Sequence, residues 1–538
     1  MKKYTIGIDY GTLSARAVLL DTENGNEVCV SEYVYPHGII SGTLNGVKLD
    51  DSAAFQHPQD YVYALSCTIA DIIKQSGVLP QQIVGLGLDF TACTMLPVDG
   101  NFKPLCEKEE FKNNPMAYVK LWKHHGAQKQ ADYITEMAEK SEEKWLSAYG
   151  GKVSSEWLLP KILETVEKSP DVFENAEYYT EAGDWIVWLL TGNTVRSCCM
   201  AGFKGCWMPY VGYPSNEFLK SLNPMLDNLL DTKLKGEVKE VGTVAGTVTK
   251  YGAQLTGLCE GTVVSVPCID AHAGLPAGGV SASGQMMLII GTSGCHIMLN
   301  KYSVDVPGTC GKVYGGLFPG YEVYESGQCC VGDMFDWFIK NCVPYSYKEK
   351  ADQLGVSVFD YVESLADKIP AGENKVVALD WWNGNRTPYA DSELTGSMFG
   401  LTLNTKPEDI YRALIESTAF GTKVIFDLYK KYGVEIKEVF ASGGISLKNK
   451  LLMQIYSDVL GMEIKVADCK QAGATGSAIF AAYASGEFAT IEEAVKKLSK
   501  ECTVVYKPNS DNTKKYKKMY DKYVKLSEYF AKNKELKI

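Results

Sequence analysis

The chain has 538 residues, 46% hydrophobic and 22% charged, with 50 glycines and 20 prolines. A single hydrophobic core stops growing at roughly 250–300 residues, so at least two domains are expected, and the ordinary composition excludes wholesale disorder, collagen and coiled coil. A formal net charge of −11 argues against nucleic acid or an anionic membrane as partner, so an anionic substrate would need a local dipolar or cationic site.

In chain order, Met1-Lys2-Lys3-Tyr4-Thr5-Ile6-Gly7-Ile8-Asp9 meets an acid before any long apolar stretch, so no signal peptide is expected. No apolar run approaches the ~18 residues of a membrane span. Residues 5–8 read as a short buried strand ended by Asp9-Tyr10-Gly11-Thr12, and residues 15–20 as a second strand, predicting a hairpin. Tyr61, Leu65, Ile69, Ile72 and Ile73 place a helix over 58–76. Residues 83–88 form a strand finishing on Asp89, and strands alternating with longer helices imply an α/β architecture. The stretch 105–260, containing Trp, Tyr and Pro, reads as less regular insertions around a site. Residues 263–269 are another apolar segment ending on an acid, Asp270.

Residues 286–299 then repeat the opening pattern of apolar strand, Gly-Thr turn and apolar strand. Gly11-Thr12 and Gly291-Thr292 lie 280 residues apart, about half the chain. The repeat suggests two related domains, 1–280 and 281–538. A long helix is predicted over 405–433, a strand at 439–441 running into Ser442-Gly443-Gly444, helices at 450–460 and from Gly473, and an amphipathic terminal helix over 513–532 docked by Tyr516, Met519, Tyr523 and Phe530. The sixteen cysteines form no C-x-x-C pair, and the six histidines no H-x-x-x-H. Dispersed thiols of this kind point to a reducing cytoplasm.

Chemistry could sit at three places. The glycine turns could aim backbone N–H groups and Thr hydroxyls at phosphates, although no P-loop is present; each turn alone is also an ordinary hairpin turn. Asp9, Asp89 and Asp270 end strands, where carboxylates can hold Mg²⁺ or act as a base, or simply cap a turn. Small residues after Asp270 leave it accessible, and His272 beside it reads as packed rather than catalytic. Ser442-Gly443-Gly444, with Asn449 beyond, offers backbone and amide groups to a flat base.

Together, Ile6-Gly7-Ile8-Asp9-Tyr10-Gly11-Thr12-x-Ser14-x-Arg16, Ile290-Gly291-Thr292-Ser293, Tyr411-Arg412-Ala413-Leu414-x-Glu416-Ser417-x-Ala419-Phe420-Gly421 and Ser442-Gly443-Gly444 through Asn449 resemble the motifs of the FGGY family of carbohydrate kinases. The resemblance implies two actin/Hsp70-like (ribonuclease H-like) ATPase domains with an inter-domain cleft. The segments around Leu88-Asp89-Phe90-Thr91-Ala92, Trp122, Lys204, Asp270, Glu325 and Trp381-Trp382-Asn383-Gly384-Asn385-Arg386 are similar to the branch acting on L-ribulose. Ser326 and Lys448 depart from residues common in that branch.

The implied reaction is ATP + L-ribulose → ADP + L-ribulose 5-phosphate, as in L-arabinose catabolism. Asp270 would be the general base. Ala92, Lys204, Asp270 and Glu325 would contact sugar, and Gly11, Thr12, Ser14, Gly291, Thr292, Gly443, Gly444 and Asn449 would contact ATP. Asp9 and Asp270 would hold Mg²⁺, through water. Other readings are a kinase for D-xylulose, D-ribulose or a polyol, an actin/Hsp70-like ATP-dependent switch, and a sugar-sensing regulator without turnover. The expected ligands are ATP, Mg²⁺ and a ketopentose; a homodimer is left open.

Overall fold

The structure, a computed structural model, describes residues 2–141, 143 and 145–533. The chain divides into two compact units. The first is built from the chain up to Ser281 together with 311–323 and 469–500, and the second from 282–310, 324–468 and the chain from Glu501 on. A single boundary at 280/281 therefore does not describe the chain. The helix Ala472–Ala484 belongs to the first unit because it is seated on that unit's sheet.

That sheet runs in spatial order Val244–Thr247, Val263–Ser265, Ile83–Phe90, Tyr4–Tyr10, Ser14–Asp21, Glu27–Val34. The N-terminal strands form an antiparallel meander, with Tyr10 opposite Ala15. Ile83–Phe90 joins Tyr4–Tyr10 in parallel and sets Asp89 beside Asp9. The apolar segment before Asp270 is two strands rather than one, Val263–Ser265 and Cys268–Ile269, interrupted at Val266-Pro267 because proline has no N–H to donate to a ladder. Cys268 pairs with Asp89 and Ile269 with Phe90, so Asp9 and Asp89 lie in register one residue before their strands end, and Asp270 follows directly on the third strand.

Gly7 pairs with Gly87 in this sheet. A Cβ on Gly7 would collide with the Ala474 carbonyl, and one on Gly87 with that of Ser477, so the helix backbone lies directly on the strands. This contact carries Ser477 over Asp89.

A second sheet of the first unit orders Tyr178–Glu181, Met95–Val98, Val119–Lys120 and Phe55–Gln56. Its surroundings are more regular than the sequence suggests, with helices Gln128–Glu139, Leu158–Lys168 and Ala182–Thr191. Leu158–Lys168 carries an apolar period at Leu158, Leu159, Ile162, Leu163 and Val166, but every residue from Leu158 to Val166 is buried, Lys161 and Glu164 included.

In the second unit Gln285–Ile290 and Gly294–Asn300 form the antiparallel hairpin, and Glu438–Ser442 joins the former in parallel. Ile464–Val466 and Val504–Tyr506 extend the sheet. Each unit thus carries a hairpin whose first strand takes a later strand in parallel. The long helix is Pro407–Lys431, stopped before Gly433, whose φ is 81°. Lys450–Leu460 and the terminal helix Ser510–Lys532 flank it, and Tyr516, Met519 and Tyr523 enter the core shared with Tyr411, Leu414 and Phe420. No helix among the described residues is long and apolar enough to cross a membrane.

Candidate active site

Three carboxyl groups dominate the first unit. Asp89 is fully buried, while Asp9 and Asp270 keep part of their surface in solvent. Ser477 Oγ donates to Asp89 Oδ2 at 2.7 Å. Asp89 Oδ1 is buried and takes no hydrogen bond from a protein donor. The Asp9 carboxyl lies within hydrogen-bonding reach, and two acceptors can be joined only by a shared proton. Burial and the Asp9 charge hold Asp89 well above the usual carboxylate range. Asp9 is raised less, because burial is opposed by the Asp89 hydrogen bond and the Arg16 charge.

Asp270 opens the helix Asp270–Ala277, its Oδ1 accepting from the Ala271 N–H at 2.7 Å. Burial first, then the Asp9 charge, push its pKa up to about 7. A carboxyl in that range takes and returns a proton near neutrality, as a general base requires. His272 is packed, its ring 4.8 Å from Phe203 and its Nδ1 3.3 Å from Cys199 Sγ.

The two glycine turns use their own backbone in a similar way. The Gly11 N–H donates to Ser14 O at 3.0 Å, and the Gly291 N–H to Ser293 O at 3.0 Å. These glycine amides are consumed inside the turns, so the groups left to face a phosphate belong to Thr12 and Thr292. Trp122 Nε1 donates to Thr12 Oγ1 at 3.1 Å, and because indole can only donate, the Thr12 hydroxyl proton points elsewhere. The Ser14 hydroxyl donates to Glu32 Oε1 at 2.8 Å. In the second unit Gly332 N–H meets Gly291 O at 3.0 Å and Val331 N–H meets Thr292 O at 2.9 Å. The second turn is thereby tied to the start of the helix Gly332–Cys342.

Ala92 and Lys204 are both in the first unit. Ala92 lies in the turn between Ile83–Phe90 and Met95–Val98, and Lys204 ends the helix Cys198–Lys204, close enough for its charge to act on Cys93. Glu325 is in the second unit, buried on Glu322–Gln328 and within the field of the half-buried Arg386. Below it Gln328 Nε2 donates to Asp380 Oδ2 at 2.7 Å and to Thr418 O at 2.9 Å, fixing the strand to the long helix. Gly443, at φ 98°, lies so close to the Ile290 carbonyl that a side chain could not be added, whereas Gly444 faces open space. Asn449 follows directly on the short helix Gly444–Lys448. It caps the helix Lys450–Leu460, Oδ1 accepting from Leu452 N–H at 2.7 Å.

Among the described residues no group of three or more His, Cys, Asp or Glu side chains is arranged to bind a metal directly. The acids of the first unit still fit Mg²⁺ held mostly through water, because Asp9 and Asp270 keep some surface in solvent and the buried Asp89 Oδ1 takes no hydrogen bond from a protein donor. Trp122, Ser477 and Arg386 carry no assigned role in the sequence reading, which offered Asp89 only as one of three carboxylates at strand ends. Trp122, Asp89 and Arg386 stand in the segments that carry the family resemblance, which was the available signal.

Family models of the FGGY carbohydrate kinases match the chain twice, the N-terminal domain over residues 4–275 and the C-terminal domain over 286–485. A ribulokinase of Anoxybacillus flavithermus is 46% identical over 537 residues, covering 99% of this chain and 95% of the relative. One from Mycolicibacterium smegmatis is 41% identical with the same coverage. Among solved structures, a xylulose kinase from Rhodospirillum rubrum superposes with a TM-score of 0.80 at 19% identity, covering 97% of this chain and 98% of that one. Plasmodium falciparum glycerol kinase with ADP gives 0.78 at 18% identity, covering 98% of each. At these identities the structures establish the fold alone.

Proposed function

Because the chain belongs to the FGGY family of carbohydrate kinases, we propose that it transfers the γ-phosphoryl group of ATP to the terminal hydroxyl of L-ribulose, giving ADP and L-ribulose 5-phosphate. It is a sugar kinase, and ribulose as its acceptor follows from 41–46% identity to ribulokinases over nearly the whole chain. The observation that carries the chemistry is Asp270, a carboxyl with some surface in solvent and a pKa of about 7 beside the Asp9–Asp89 pair.

Phosphoryl transfer asks the protein for positioning and charge neutralisation rather than covalent work. Asp270 accepts the proton of the attacking hydroxyl. Asp9 and Asp270 would hold Mg²⁺ through water, and the ion would supply charge neutralisation on the phosphates. Thr12 and Thr292 donate to phosphate oxygens, and the open backbone at Gly444 leaves room for the adenosine, with Gly443 shaping that turn and Asn449 holding the following helix. Lys204, Glu325 and the turn at Ala92 hold the hydroxyls of an uncharged sugar. All sixteen cysteines are reduced thiols, in keeping with action in the cytoplasm.

An ADP-release assay over L-ribulose, D-ribulose, D- and L-xylulose and glycerol tests the acceptor. L-Ribulose is expected to give the highest kcat/KM, and a higher value for D-xylulose or glycerol would sink the assignment. Asp270→Asn is expected to keep ATP binding by calorimetry while lowering kcat by about 10²–10⁴-fold.

A further inference from the structure

We propose that Lys161 is a positioning residue for the sugar, holding the turn that presents Ala92 in its working shape; the inference rests on the ribulose kinase reading above. Lys161 lies on the helix Leu158–Lys168 and is fully buried. Its ammonium donates to the carbonyl of Cys93 at 2.6 Å and to that of Leu121 at 2.8 Å. Glu181 is buried nearby with neither carboxyl oxygen accepting a hydrogen bond, and burial pushes its own pKa up to about 8, so it offsets little of the ammonium's charge near neutrality. Burying an ammonium is costly, and methionine would fill the same space without that cost. What the charge adds is a grip on two separate segments.

The gripped turn is strained. Cys93 has φ 55°, in the left-handed region that costs a residue with a side chain on the order of 1 kcal/mol. Such a conformation persists only where its surroundings over-determine it. Here the Thr91 and Thr94 hydroxyls meet at 2.7 Å, and the Ala182 N–H holds Thr94 O at 2.7 Å. Of residues 91–94 only Ala92 is not buried. The other carbonyl held by Lys161 immediately precedes Trp122, whose indole orients Thr12. One ammonium therefore fixes the backbone next to a sugar-facing residue and next to a residue that sets the phosphate turn.

Lys120 makes a useful contrast. It is as buried as Lys161, but its ammonium contacts only Lys161 O, Glu164 Oε2 and Thr165 Oγ1, each at 2.7 Å and all on the helix. The test compares steady-state kinetics and melting temperatures of the wild type, Lys161→Met, Lys161→Gln and Lys120→Met. Lys161→Met is expected to raise KM for L-ribulose about tenfold, with KM for ATP within about twofold. Lys161→Gln, which keeps an N–H donor, should recover part of that loss. Lys120→Met should lower the melting temperature with the sugar KM unchanged. An unchanged sugar KM in folded Lys161→Met, equal rises for both substrates, or an equal sugar effect from Lys120→Met would overturn the proposal. If Lys161→Met does not fold, the same ratio in Lys161→Gln decides. Wild-type protein that fails to turn over L-ribulose would instead overturn the acceptor, and the Lys161 ratio would then be read with the panel sugar it does phosphorylate.

Discussion

Asp270 shows how one residue couples stability to function. Its folded pKa is raised from 3.8 to about 7, so the folded state holds its proton more tightly than the unfolded chain does. The sign follows: this group's favourable contribution is complete below about pH 4 and is lost as pH rises through about 7. Asp270→Asn, which cannot ionise, is therefore expected to melt at a higher temperature than wild type at pH 8 in metal-free buffer, with the gap narrowing towards pH 5. A gap that is constant with pH would contradict the raised pKa. The hydroxyls of the first turn make a second residue-level test. Thr12→Val removes the donor that Trp122 orients and should raise KM for ATP about tenfold, the worth of one charge-assisted hydrogen bond. Ser14→Ala should leave it within about twofold, because Ser14 is bonded to Glu32. The sequence offered Thr12 and Ser14 as equals, since a motif shows which hydroxyls are present but not where each finds its acceptor.

The elements themselves were largely legible. The apolar period of Tyr61, Leu65, Ile69 and Ile72 falls within Pro58–Ser76, and the tyrosine stripe of the tail within Ser510–Lys532. What periodicity does not reveal is which polar groups an element buries. On Pro407–Lys431 the Arg412 guanidinium pairs with Glu416 at 2.8 Å and donates to the Tyr516 hydroxyl at 2.6 Å on the terminal helix. All three side chains are buried, so Tyr516→Phe leaves a guanidinium N–H without its acceptor. That should cost about 1–3 kcal/mol, read as a lower urea midpoint with KM for both substrates unchanged. The turn around Ala92 and the lysine beneath it were illegible for the same reason. Leu158–Val166 is buried on every side, and the partners of Lys161 come from residues 68 and 40 positions away.

At the scale of the whole molecule, the repeat of Gly-Thr turns located two units, but not the return of residues 311–323 and 469–500 to the first. A helix pattern announces an apolar face without naming the sheet it covers, and only the glycines at 7, 85 and 87 hinted at a backbone packed directly on strands. Net charge leads to the last prediction. The chain carries −11 and binds an anionic nucleotide, yet the residues proposed for the phosphates are Thr12 and Thr292 in hairpin turns, not a basic surface. Long-range electrostatics then oppose nucleotide approach, and salt relieves that opposition as the Debye length shortens from about 30 Å at 0.01 M to about 8 Å at 0.15 M. Raising KCl over that range at fixed Mg²⁺ should leave kcat/KM for ATP level or modestly higher, and kcat/KM for the uncharged sugar level. A nucleotide site built on a basic patch would lose several-fold over the same range. Such a loss would mean that lysines or arginines outside the residues named here carry the phosphate binding.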